Sequence, residues 1–299
     1  MQQHAFIHKE HRMVAQGAIF LCAILWSTSG LFIKLVDWHP MVIAGGRSAL
    51  AAAFLIAVRL FAPGRKQRQS NVKTSPMDFF ALSACGLCYA ATMIAFVIAN
   101  KLTASANVIL LQYTAPVWAA LLGWLFLRER LRWEHWCALV LVSMGMLLVF
   151  SSGLASGSML GNVVALISGL TFGANSVVMR AKKDGNPADI FIFSHLECAL
   201  FSIPFFFLHP PTMTANAVLS VVFMGIIQIG AASALFAYGI KRVSAVQAML
   251  IATIEPVLNP VWVLLVVGEK PTVTVLAGGC LIVGAVLFTS ILSALRRRN

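Results

Sequence analysis

Charge of one sign is nearly missing from this chain. Asp and Glu together number 10 in 299 residues, against 22 Lys and Arg, and all charged residues make up 11%. Soluble domains carry about a quarter charged residues, so a soluble globular domain is excluded. Catalytic signatures are also missing. There is no H-E-x-x-H, no G-x-S-x-G and no Walker-type loop, which leaves no sequence basis for a zinc peptidase, a nucleophile-elbow hydrolase or a phosphate-loop enzyme. A membrane-embedded enzyme is therefore the weaker alternative class. No filter segment or ring of charges marks an ion channel. No long polar stretch offers a scaffold or receptor domain, and no cluster of ligating side chains implies a metal or a cofactor.

What the chain does have is apolar length. Hydrophobic residues make up 60%, and the mean hydropathy is +0.87. A spanning helix takes roughly 20 apolar residues. Ten such spans follow one another at about 14–36, 41–62, 77–99, 104–127, 133–152, 159–180, 188–208, 215–239, 244–267 and 272–294. The expected fold is all-α and polytopic, with the function among the helices. The first apolar run has no small-residue cleavage site and reads as a retained helix rather than a signal peptide.

The net charge of +12 suggests nucleic acid until its distribution is considered. Lys9 and Arg12, the 59–73 group, Arg128 to Arg132, Arg180 to Lys183, Lys241 and Arg242, and Arg296 to Arg298 all fall in alternate gaps and the two tails. Only Lys101 and Lys270 fall on the other side. This asymmetry orients the chain with both termini cytoplasmic and argues against nucleic acid as a partner. The six cysteines lie within apolar spans. Cys85 and Cys88, despite their C-x-x-C spacing, read as small packing residues without a second ligand pair.

The chain also repeats itself. KLTASANVILLQYTAPVWAALLGWLFLRER, from Lys101, lies over KRVSAVQAMLIATIEPVLNPVWVLLVVGEK, from Lys241. At one constant offset Pro116 falls on Pro256, Glu129 on Glu269 and Arg130 on Lys270. WSTSGLFIK, from Trp26, similarly lies over FGANSVVMR, from Phe172. Residues 14–152 and 159–294 thus form two five-helix repeats, flanked by tails at 1–13 and 295–299. An odd helix count inverts the second copy. Inverted repeats with proline-interrupted helices in matching places mark secondary transporters, whose site lies near the midplane between the halves.

Two five-helix repeats, an early W-S-T, a mid-helix E-P and a following G-E-K (268–270) resemble the EamA branch of the drug/metabolite transporter superfamily over residues 14–294. Within it the chain is most similar to bacterial aromatic amino-acid exporters of the YddG type. The resemblance implies export of amino acids, other metabolites or toxic compounds by alternating access across the inner membrane. It also implies a central cavity lined by spans 1, 3, 4, 6, 8 and 9, with no cofactor. The first repeat departs at Ala115, which stands where the second has Glu255.

Candidate site residues follow from these spans. Pro256 cannot donate to the carbonyl of Ala252, nor Pro260 to that of Pro256, so both predict a break in span 9. Pro116 does the same for Gln112 in span 4, beside Tyr113. Freed carbonyls are tolerable only against protein or a watery cavity. Glu255 and Asn259 share a helix face at this break. The carboxylate has three available roles: binding an ammonium group, cycling a proton, or bracing the broken helix. Trp26 and Ser27 in span 1, Tyr89 in span 3, Phe172 and Asn175 in span 6, and Gln228 in span 8 complete a pocket of stacking faces and a few polar groups. Such a pocket suits an amphipathic small molecule. Trp118, Trp124, Trp133 and Trp136 read as packing or interfacial belt. Gly169 and Gly173 read as a close helix contact. Arg47 is expected to pair locally or to snorkel, and His195 to be hydrogen-bonded.

Overall fold

The computed structural model describes residues 2–61, 76–128, 133–156, 158–181, 187–240, 242, 248 and 251–296. Much of the basic charge behind the expected orientation, including Arg65 to Lys73, Arg130, Arg132, Lys182, Lys183, Lys241, Arg297 and Arg298, lies outside the described residues. So does Glu129, the repeat counterpart of Glu269.

Every described element is helical. In chain order these are α1 (Gln2–Ser27), α2 (Ser29–Leu35), α3 (Pro40–Phe61), α4 (Pro76–Leu102), α5 (Ser105–Gln112), α6 (Ala115–Leu127) and α7 (Trp133–Ser156). They continue with α8 (Met159–Ala181), α9 (Pro187–Leu208), α10 (Ala215–Val222), a π-helical stretch (Phe223–Ala231), α11 (Ala232–Gly239), α12 (Ile254–Val267) and α13 (Val273–Arg296). α1 starts at Gln2, so the residues of the expected N-terminal tail continue into the first helix. Among the described residues, seven helical spans are long and apolar enough to cross a membrane: Met13–Leu35, Pro40–Phe61, Leu82–Leu102, Ser105–Leu127, Met159–Val178, Asp189–Leu208 and Ala215–Gly239. Shorter apolar helices occupy Trp136–Ser151, Ile254–Val267 and Val273–Thr289. The chain is a polytopic membrane protein. Its outward surface carries large apolar side chains such as Phe126, Leu147, Phe207 and Leu265, a surface that suits acyl chains rather than water.

Where spans break, the sequence supplies the cause. Between α1 and α2, the Ser27 and Thr28 hydroxyls donate to the carbonyls of Ile24 and Leu25, at 2.6 and 2.7 Å. Short polar side chains compete in this way with the helical ladder. Between α5 and α6, Thr114 Oγ1 donates to Leu111 O at 2.6 Å, and Pro116 opens the next helix. α12 likewise begins just after Thr253, with Pro256 in its first turn.

The helices pair mainly across the two sequence halves: α3 on α9, α4 on α8, α7 on α13, α1 on α11 and α12, and α5 on α12. Arg59 at the end of α3 forms an ion pair with Asp189 at the start of α9, so these two run antiparallel. At their other end several links meet in a closed polar network. Lys34 Nζ lies 2.9 Å from Glu269 Oε2 and donates to Thr103 O, also at 2.9 Å. Glu269 Oε1 accepts the amide of Ser105, the first residue of α5, at 2.7 Å. Lys101 donates to Val36 O. Trp38 Nε1 donates to Thr212 O at 2.8 Å. The His39 ring stacks on His209 with centroids 4.2 Å apart and on Phe205 at 5.4 Å.

Burial, and then the proximity of His209, lower the pKa of His39 below its ordinary 6.5. A depressed histidine pKa means the folded state resists protonation, so its contribution is complete above about pH 6.5 and is lost as pH falls through the folded value. The thermal midpoint of the purified protein should therefore drop on acidification from pH 7 to pH 5. His39→Phe, which keeps the stack without the charge, should flatten that drop.

Candidate functional site

The carbonyl that Pro256 leaves without a donor is that of Ala252, and it has a partner from the other half of the chain. Tyr113 Oη donates to Ala252 O at 2.6 Å and lies 3.2 Å from Glu255 Oε2, a second acceptor for the same hydroxyl. Tyr113 stands at the break between α5 and α6, so the two broken spans meet through it. Glu255 is half-buried in the first turn of α12. Asn259, one turn on, is fully buried against Gly30, where a Cβ would come within 2.8 Å of Asn259 Oδ1. A side chain at position 30 would therefore require the Asn259 or Ser105 side chain to shift.

Aromatic rings continue from this point in a row. Trp26 on α1 lies 5.3 Å from Phe236 on α11. Phe236 meets Phe191 on α9 at 6.5 Å, Phe191 meets Tyr89 on α4 at 5.6 Å, and Tyr89 meets Phe172 on α8 at 6.2 Å. Interplanar angles from 35° to 83° give tilted and edge contacts, the favoured arrangement for quadrupolar rings. Gln228, within the π-helical stretch, directs its Nε2 to Trp26 O at 3.4 Å. Trp262 Nε1 donates to Ser27 Oγ at 2.9 Å, tying α12 to the break after α1.

Of the expected site residues, Trp26, Tyr89, Phe172 and Gln228 follow the aromatic row, and Tyr113 and Glu255 form the polar pair. Asn175 is buried on α8. Gln112 instead donates to Ser168 Oγ at 3.0 Å and fastens α5 to α8, and Ser27 is taken up by Trp262 and Ile24. Pro260 does not break its helix: α12 runs through it to Val267, and the interruption falls at Thr253. Gly169 and Gly173 lie where a Cβ would strike Leu111 O and Ala115 O, both at 2.7 Å, so they set the approach of α8 to α5 and α6. Trp124, Trp133 and Trp136 are about half exposed, as an outer belt requires, while Trp118 bonds Thr114 Oγ1 at 3.0 Å.

Two expectations fail outright. Arg47 does not snorkel and has no acidic partner among the described residues; it is 1% exposed and donates to Met93 O at 3.3 Å. His195 is fully buried with neither ring nitrogen bonded among the described residues. Phe191, Phe236 and Trp262 were not singled out from the sequence. A signal existed for Trp262, which shares a face with Glu255 and Asn259 at helical spacing.

The fold and site define a polytopic membrane transporter: broken helices that bond each other across the halves, with an aromatic row beside them and lipid-facing walls around. The EamA-like transporter family model matches twice, over residues 14–151 and 159–291, and the chain belongs to that family. Uncharacterized transporter YdfC of Bacillus subtilis is 29% identical over 272 residues, covering 89% of this chain and 87% of its own. An uncharacterized transporter of Archaeoglobus fulgidus is 24% identical, covering 91% and 94%. The crystal structure of another protein covers 94% of this chain and 98% of its own, with a TM-score of 0.64 and 22% identity, and shares the fold.

Tyr113→Phe should strand the Ala252 carbonyl. A buried acceptor left without a partner costs about 1–3 kcal/mol. The variant should unfold at lower temperature than the parent in the same detergent, and Gln112→Ala should cost less because Ser168 keeps a second bond to Thr92 O.

Proposed function

We propose that this protein exports hydrophobic, chiefly aromatic, amino acids across a bacterial inner membrane by alternating access, with both termini cytoplasmic. The observation that carries the reading is the Tyr113–Glu255 pair at the meeting of two broken spans, set beside a row of five aromatic rings. The rings offer stacking faces to an aromatic side chain, and the carboxylate offers a counter-charge to an ammonium group. Direction of transport rests on the family resemblance.

The twofold family match and the helix pairing support an architecture of ten spans in two inverted repeats. Exchanging the halves maps α4–α8 onto α1–α11, while α3–α9, α7–α13 and α5–α12 map onto themselves. In that scheme the Lys34–Glu269–Ser105 network is the closed outer side, and opening there accompanies closing at the other end. Orientation is testable directly. In a variant lacking the native cysteines, Ser156→Cys should react with an impermeant maleimide added to intact cells and Arg68→Cys should not; the reverse pattern overturns it.

Glu255→Gln keeps the shape and removes the charge. In proteoliposomes, an ammonium-binding Glu255 requires a weaker apparent affinity for phenylalanine or tryptophan, about tenfold for one lost charge-assisted bond, with little change in pH dependence. A proton-cycling role instead requires that uphill accumulation fail while exchange continues. Parent-like transport from pH 5.5 to 8 leaves Glu255 as a brace. Absence of flux for every aromatic and branched amino acid overturns the substrate reading, and sugars, polyamines or quaternary cations then lead.

A further inference from the structure

Arg47 enters the membrane part of the protein unpaid for. It lies seven residues from the start of α3, about 10 Å in at 1.5 Å per residue. Its Nη2 reaches Met93 O at 3.3 Å and Met93 Sδ at 3.7 Å, while Nε has no partner. The ion pairs among the described residues are Lys34–Glu269 and Arg59–Asp189, so no carboxylate there compensates it. His195 on α9, within electrostatic reach of Arg47, is fully buried with both ring nitrogens unbonded among the described residues. Cys198, one turn along from His195, donates to Ala44 O, one turn before Arg47, and this contact docks that face of α9 on α3. Glu197 cannot serve as counter-ion. Two residues from His195 it points about 200° away around the helix, and its carboxylate abuts Gly86 of α4.

An isolated buried guanidinium costs several kcal/mol unless an anion meets it. A carboxylate matches it best, since two oxygens can accept from Nε and a neighbouring N–H together. The niche adjoins the aromatic row: the Tyr89 ring is 5.8 Å from His195, and Tyr89 lies within electrostatic reach of both Arg47 and Glu255.

We infer that Arg47, with His195 nearby, binds the carboxylate of the transported molecule, giving the site an anionic-group pole opposite Glu255. The inference rests on the substrate reading above and deepens it: the preferred substrates are zwitterions, with ammonium toward Glu255, carboxylate toward Arg47 and an apolar side chain along the rings. Tyr89 is 6% exposed and packs edge-on against His195 in this conformation, so a carboxylate reaches Arg47 only when the Tyr89 ring moves.

The test is thermal stabilisation of the purified full-length protein by four probes: L-phenylalanine, L-phenylalaninamide, phenylacetate and phenethylamine. In the parent, phenylalanine should bind about tenfold or more tightly than phenylalaninamide, which lacks the carboxylate. Arg47→Gln should abolish that preference and the response to phenylacetate while leaving phenethylamine unchanged; a merely structural arginine would weaken all four alike. Glu255→Gln should do the converse. If the parent binds phenylalaninamide as well as phenylalanine, the inference is overturned and the substrate reading stands, and this comparison needs no variant to fold. If none of the four stabilises the parent, the aromatic substrate reading falls and the inference falls with it.

Discussion

One phenol hydroxyl answers the backbone acceptor that a proline leaves bare, and the centre of the molecule is arranged around that bond. In hydrocarbon an unpaired carbonyl costs several kcal/mol, so a span can break only where something donates to the opened end. Tyr113 donates to Ala252 O, and Tyr113 is itself placed by the break between α5 and α6. Two other bonds cross the halves in the opposite sense, from Trp262 to Ser27 and from Gln228 to Trp26 O. Both reach the break after α1, one from within α12 and the other from the π-helical stretch. The breaks are thus tied by side chains from the opposite half, and Glu255 sits against the Tyr113 hydroxyl.

In the proposed reading, the aromatic row and the polar seam would divide the work of recognition. Ring faces accept a broad range of apolar groups with little geometric demand, whereas charged groups discriminate sharply because an unpaired one is costly in a site shielded from water. A transporter that must take several related molecules gains breadth from the first and selectivity from the second.

Much of this was legible along the chain. Composition alone required helices in lipid, and the proline arithmetic pointed to Ala252, the carbonyl that Tyr113 meets. What stayed hidden depended on helix rotation and packing. Phe191 is one of several phenylalanines in its span, and only the seating of α9 on α3 and α4 turns it toward Tyr89. The π-helical stretch around Gln228 leaves no mark on an apolar pattern read at ordinary helical spacing. Pro260 was expected to act as Pro256 does, yet α12 carries it without interruption. Arg47 is near enough to the end of α3 to suggest snorkelling, and the covering helices α4 and α9 close that route. Glu269 stood out as part of a motif, but its contacts with Lys34 and the Ser105 amide required the fold.

Those contacts make the closed end responsive to the medium. The Lys34 and Glu269 side chains are 20% and 23% exposed, enough for dissolved ions to reach the pair. At physiological ionic strength the screening length is about 8 Å, and it shrinks to about 3 Å in molar salt. The attraction between the charges is sapped accordingly, while the shorter bond from the Ser105 amide, a contact-range interaction, is touched less. High ionic strength would therefore loosen the Lys34–Glu269 ion pair without releasing the Ser105 amide from Glu269.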